Sequence, residues 1–140
     1  MNYTIDHLSV GQAASQSKTI SESDVYLFAG ITGDFNPAHM NEQFAKTTPF
    51  KGRIAHGMLV ASLISTVLGT ELPGKGTIYM GQELKFVSPV HFGDTITATV
   101  EVKRIDRDRK RVIFNTTCVN QDDKVVVEGE ATVKPPSDPE

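Results

Sequence analysis

The stretch Thr32-Gly33-Asp34-Phe35-Asn36-Pro37-Ala38-His39 sets a carboxylate and an imidazole close together in a segment that follows neither helical nor strand spacing. Gly33 can take a positive φ and end a preceding helix, while Pro37 fixes its own φ and holds Asn36 extended. A loop constrained in this way can aim Asp34 and His39 at one point, where the pair would move a proton to or from a reacting group. A plainer reading stands beside this one: Asp34 caps a following turn and His39 is a surface residue.

A second cluster, Ile54-Ala55-His56-Gly57-Met58, opens an apolar segment. If that segment is a helix, the Gly57 amide belongs to its unpaired N-terminal N–H groups and can bind an oxygen that becomes negative during a reaction. Alternatively, Gly57 only permits close helix packing. Ser62, Ser65 and Thr66 interrupt the apolar surface; each hydroxyl can bond a carbonyl one turn back, or orient a catalytic group if it faces the loop. Asp34, His39 and His56 have the types of a two-histidine, one-carboxylate metal site, but no flanking spacing supports one, and no metal is expected. Gly69-Thr70-Glu71-Leu72-Pro73-Gly74-Lys75-Gly76 nearly spells a phosphate-binding loop. It has Gly76 where a hydroxyl belongs and follows a helix, so it reads as a turn. His7 and His91 read as surface residues.

These groups need elements to hold them. Ser21, with Glu22 and Asp24 behind it, starts a helix that carries Val25, Phe28 and Ala29 and stops near Gly33. A longer helix is expected from about Ala55 to Leu68, apolar on nearly all sides and therefore buried. The second half of the chain alternates instead. Ile96, Ala98, Val100 and Val102 share one face of a strand, and the same period of two runs through Ile78 to Phe86, Val112 to Cys118 and Val125 to Val133. Connectors at 105–110 and 120–123 are short enough for hairpins, so a consecutive antiparallel run is expected, with a further strand near Gln16 to Ile20. Wrapping that sheet around the apolar helix is the economical way to bury both, which gives a single α+β domain over residues 1–134 and a frayed tail at 135–140.

Composition removes several function classes. The 140 residues suit one domain; the net charge of −3 offers no basic field for nucleic acid; and neither a signal peptide nor a membrane-spanning stretch is expected. The single Cys118 lies in an alternating stretch, where a buried thiol is expected, and a reducing cytoplasm suits it.

Gly33-Asp34-Phe35-Asn36-Pro37-Ala38-His39 followed by Ile54-Ala55-His56-Gly57-Met58-Leu59 closely resembles the hydratase motif of the MaoC-like hot-dog family, and in particular its short (R)-specific enoyl-CoA hydratases. The likeness runs from about Leu8 to Lys134. It implies a hot-dog fold with an antiparallel sheet around a long central helix. It further implies Asp34 and His39 as catalytic dyad, Gly57 as amide donor to a thioester oxygen, and Ser65 with Asn36 in a supporting hydrogen-bond network. Asn41 stands where many relatives carry Asp. The implied activity is hydration of trans-2-enoyl-CoA to (R)-3-hydroxyacyl-CoA, with no cofactor beyond the CoA of the substrate, in fatty-acid or polyhydroxyalkanoate metabolism, by a homodimer whose two sheets join edge to edge, or a higher oligomer. Short acyl chains are expected, because a small domain with a full core leaves little tunnel volume, and Met80, Leu84 and Phe86 are the bulky candidates to close it. Rival readings are a hot-dog thioesterase, which would release free thiol, and a non-catalytic acyl-CoA-binding module.

Overall fold

A computed structural model describes residues 2–138. After a short 3-10 turn at Ile5–His7, the chain forms β1 (Ala13–Thr19), α1 (Glu22–Thr32), α2 (Pro37–Met40), α3 (Glu42–Ala45), α4 (Gly57–Thr70), β2 (Ile78–Phe86), β3 (Thr95–Asp106), β4 (Arg111–Val119) and β5 (Val125–Lys134). Local signals act where expected. The Ser21 hydroxyl accepts from the Asp24 amide while the Asp24 carboxylate accepts from the Ser21 amide, a reciprocal cap that starts α1. Gly33 ends α1 in the left-handed region at φ 81°.

The five strands form one antiparallel sheet in the order β1-β3-β4-β5-β2. Both short connectors are hairpins, joining β3 to β4 and β4 to β5. The consecutive run stops there: β2 pairs with β5, not with the β3 that follows it. The intervening segment is committed elsewhere, because the Val90 carbonyl accepts from the Ala55 amide, His91 bridges Ile54, and Val90 is buried. That segment therefore crosses the start of α4 and cannot turn back as a hairpin.

The α4 helix contacts all five strands. A flat sheet of five strands spans about 19 Å, and a helix with its side chains is only about 10–12 Å wide, so the sheet must curve around α4 to meet it everywhere. This is the hot-dog arrangement. Val60, Ala61, Ile64, Val67 and Leu68 of α4 pack against Ile96, Ala98, Val100, Phe114, Cys118, Ala131 and Val133 from the sheet. Each large aliphatic side chain in this cluster contributes about 1.5–3 kcal/mol by leaving water.

Three expectations are corrected. The long helix runs from Gly57 to Thr70, two residues later than expected, because Ala55 is drawn into backbone pairing with Val90. It is not buried all round, since Met58, Ser62, Ser65, Thr66 and Gly69 form an open face at helical spacing. The tail does not fray at once: Pro135 and Pro136 are buried, and Pro136 packs closely against Gly76. Residues 139 and 140 of the expected tail lie outside the described residues.

Candidate active site

The loop after α1 is tied at nearly every residue. The Asp34 amide donates to the Thr32 hydroxyl (3.1 Å), the Asn36 amide to Asp34 Oδ1 (3.2 Å), and the Ala38 amide to Asn36 Oδ1 (3.0 Å). Asp34 thus closes a turn with one carboxylate oxygen, as the plainer reading held, while Oδ2 lies outside that turn, 4.0 Å from His56 Nε2. Asn36 caps α2, with Pro37 in its first turn. Asn41 caps α3 by accepting from the Phe44 amide, a task that Asp performs equally well, which accounts for Asn at that position.

Residues 54 to 57 come up against this loop. The Ile54 amide donates to the Ala38 carbonyl (3.2 Å), and His39 Nδ1 lies 2.7 Å from the Ile54 carbonyl. A carbonyl oxygen only accepts, so Nδ1 carries the hydrogen and neutral His39 keeps its lone pair on Nε2. His39 is half-buried and the Asp34 side chain is about half exposed. His56, buried, stacks on His39 with ring centroids 3.9 Å apart and donates from Nε2 to the Asp34 carbonyl at 2.9 Å.

Asp34, His39, His56 and Gly57 all line one cavity of about 710 Å³, walled by apolar groups that include Phe28, Phe50, Phe86, Val90, Val126 and Val127. This volume lies in the usual range for small-molecule sites. Gly57 opens the 14-residue helix α4, so its amide has no acceptor within the helix and sits at the positive end of the helix dipole. The site therefore combines an acceptor pair for protons with a donor for a developing oxyanion.

Asp34, His39 and His56 each offer an atom within 4.8 Å of the others, a spacing a metal ion would need. Their nitrogens are directed otherwise: His39 Nδ1 and His56 Nε2 are spent as donors to carbonyl oxygens, leaving His39 Nε2, the Asp34 carboxylate and a buried His56 Nδ1.

Ser65 is not among the residues that line the cavity. It is exposed on α4, outside the cavity wall, and hydrogen-bonds to neither Asp34 nor His39 within the chain. Of the bulky residues expected to close a tunnel, Phe86 lines the cavity whereas Met80 and Leu84 do not. Cys118 is buried in the core, and burial pushes its thiol pKa up to about 12, so it is no nucleophile. Sequence reasoning passed over the apolar wall from Phe28, Phe50 and Val126, which lie far apart in the chain. It quoted His56 within the motif but gave it no role beyond that of a metal candidate, although its place beside Gly57 was the available signal.

Residues 8–128 match the model of the MaoC like domain. The chain is 61% identical over 127 residues to an (R)-specific enoyl-CoA hydratase of Rhodospirillum rubrum, covering 91% of this chain and 88% of that protein. It is 50% identical over 131 residues to a 3-hydroxybutyryl-CoA dehydratase of Methylorubrum extorquens, covering 94% and 83%. A solved structure of an (R)-hydratase from Aeromonas caviae involved in PHA biosynthesis superimposes with a TM-score of 0.89 at 47% identity, covering 92% of this chain and 98% of that one.

Proposed function

Because the chain belongs to the MaoC-like domain family, we propose that it is an (R)-specific enoyl-CoA hydratase, adding water to trans-2-enoyl-CoA and, in reverse, dehydrating (R)-3-hydroxyacyl-CoA. The observation that carries this reading is the His39 Nδ1–H bond to the Ile54 carbonyl, which leaves an Nε2 lone pair beside the Asp34 carboxylate in the cavity that Gly57 lines. A water that donates to two acceptors about 2.8 Å away spans about 4.5 Å between them. A carboxylate oxygen of Asp34 and a ring nitrogen of His39 lie within 4.8 Å of each other, a separation that one water can bridge.

In the hydration, the water oxygen bonds to Cβ as the C=C pair moves to form an enolate, and the enolate oxygen is stabilised by the Gly57 amide. Asp34 accepts the proton that the water releases. His39 holds the water through its Nε2 lone pair and shares in the transfer, and the proton taken from the water is handed from the dyad to Cα, which restores the thioester carbonyl and leaves Cα–Cβ a single bond. Water is the nucleophile and both proton carriers are side chains, so the chemistry calls for no metal and no cofactor. Asn36 supports the dyad by donating its amide to Asp34 and capping the turn that carries His39.

The (R) product and short acyl chains follow the relatives' activities, the four-carbon substrate of the Methylorubrum protein in particular; supply of hydroxyacyl units to fatty-acid or PHA metabolism follows the Aeromonas one. A homodimer formed through β2 is supported by the two sheet edges. The β1 edge is polar, with Ser15, Ser17 and Thr19 bonded to Thr99, Thr97 and Thr95, whereas the β2 edge leaves Ile78 and Met80 half exposed. A cytoplasmic setting agrees with the lone buried Cys118, and no helix among the described residues is long and apolar enough to cross a membrane.

The test is loss of enoyl-thioester absorbance with crotonyl-CoA, run with a free-thiol assay and chiral analysis of the product. The expected result is absorbance loss without thiol, an (R)-3-hydroxy product, and a loss of about 10²–10⁴-fold for each of Asp34→Asn and His39→Ala. Release of thiol by the wild-type protein would overturn the hydratase in favour of a thioesterase.

A further inference from the structure

His56 enters none of the bond-making steps above, yet it is only 3% exposed and lies at the centre of the site. Its ring sits between Phe28, tilted at 53° with centroids 4.9 Å apart, and His39, stacked at 3.9 Å and 29°. Nε2 is 2.9 Å from the Asp34 carbonyl oxygen and 4.0 Å from Asp34 Oδ2. Since the carbonyl can only accept, Nε2 bears the hydrogen, and the lone pair of the neutral ring falls on Nδ1, which is buried without a partner. A histidine kept with one nitrogen unsatisfied forgoes stability that an apolar residue of similar shape would retain. The adjoining residue, moreover, is Gly57, so the His56 backbone leads directly into the amide that meets the oxyanion.

We propose that His56 is a positioning residue for the hydration, in its Nε2–H tautomer, holding both members of the dyad in register with the Gly57 amide. Its N–H fixes the Asp34 backbone, and its face fixes the plane of the His39 ring, whose own Nδ1–H bond leaves rotation about that bond to be restrained. It touches neither the water nor the thioester. The effect is on the reacting geometry, where a misplacement of about 1 Å costs about 10²-fold in rate. This inference rests on the hydratase reading.

The experiment compares His56→Ala, His56→Gln and His56→Phe with wild type on crotonyl-CoA, with thermal unfolding of each. Gln retains an amide donor near the Nε2 position; Phe retains the stacking face without the donor. The expected result is a fall of about 10²-fold in kcat for Ala with KM changed less than about 3-fold, and intermediate falls for Gln and Phe. A kcat within about 3-fold of wild type in the folded Ala protein, or an effect confined to KM, would overturn the proposal. Long-range ¹H–¹⁵N NMR of the wild-type protein reads the tautomer without any substitution: Nε2–H is expected at His56, and Nδ1–H would overturn the proposal even if the variants fail to fold. Inactivity of the wild-type protein itself on enoyl thioesters would strike at the hydratase reading instead.

Discussion

Gly57 lies directly against the ring of Phe86: a Cβ placed on Gly57 would come 2.7 Å from Phe86 Cδ1 and Cε1. The first residue of α4 thereby meets the last residue of β2, and both line the cavity. The close packing and the oxyanion role of this glycine are consequently one arrangement, since the missing side chain is what lets an aromatic wall stand beside the helix N-terminus.

Gly57→Ala is expected to push Phe86 outward and to lower kcat/KM by about 10–10²-fold, an intermediate share of the effect of removing an oxyanion donor. Phe86 is 54% exposed and has room to yield, so the fold should survive. Steady-state kinetics of Gly57→Ala beside the Gly57→Ala, Phe86→Leu double variant checks the coupling; activity in the double variant should recover in part, and independent, multiplicative effects would argue against it.

Gly129 makes a tighter contact. A Cβ there would fall 1.8 Å from the Glu83 carbonyl oxygen, which is backbone and part of the β2–β5 pairing. Gly129→Ala must part the two strands, at a cost of about 3 kcal/mol or more, and lower Tm by roughly 10 °C. Gly30→Ala in α1 is the contrast, because its Cβ would meet nothing within 4 Å, and it should be neutral or stabilising by up to about 1 kcal/mol. Thermal unfolding of the two variants under one buffer decides the matter.

The α1 cap carries a pH dependence. The Ser21 amide bond to the Asp24 carboxylate, with help from Lys18 at 3.1 Å and against the opposing effect of burial, holds the Asp24 pKa below its ordinary 3.8. A depressed carboxylate pKa stabilises the fold above the unfolded value, and that stability is lost as pH falls through the folded value. Asp24→Ala should therefore cost about 1 kcal/mol near pH 7. In urea titrations the difference from wild type should narrow as the pH is taken below 3.8; a gap that is constant down to pH 2 would assign the cost to packing alone.

Much of the site was legible because its signals are local. The helix-ending Gly33, the rigid Pro37 and the Asn36 cap act within a few residues of Asp34 and His39, and the Ser21 cap with its apolar spacing announced α1. The strict alternation of β3 reported its buried face, since an interior strand covered on one side obeys that period. The β2 strand obeyed it less usefully: Ile78, Met80 and Phe86 alternate like core residues but are half exposed in one chain, because β2 is an edge. Ser65 has the residue type for a catalytic network, but α4 turns its side chain to the open face.

By itself, the sequence determined the caps, the helix and strand periods, the single α+β domain and the residue types able to move a proton. Tertiary structure alone decided that β2 crosses to β5, that Phe86 stands over Gly57, and that the His56 ring lies between Phe28 and His39. The reason is physical. Capping and alternation are rules of a few successive residues, satisfied or broken in place, whereas contacts between residues 39 and 56 or 57 and 86 exist only once the chain has chosen how to close its loops around α4, and that choice is made by the packing of the whole core.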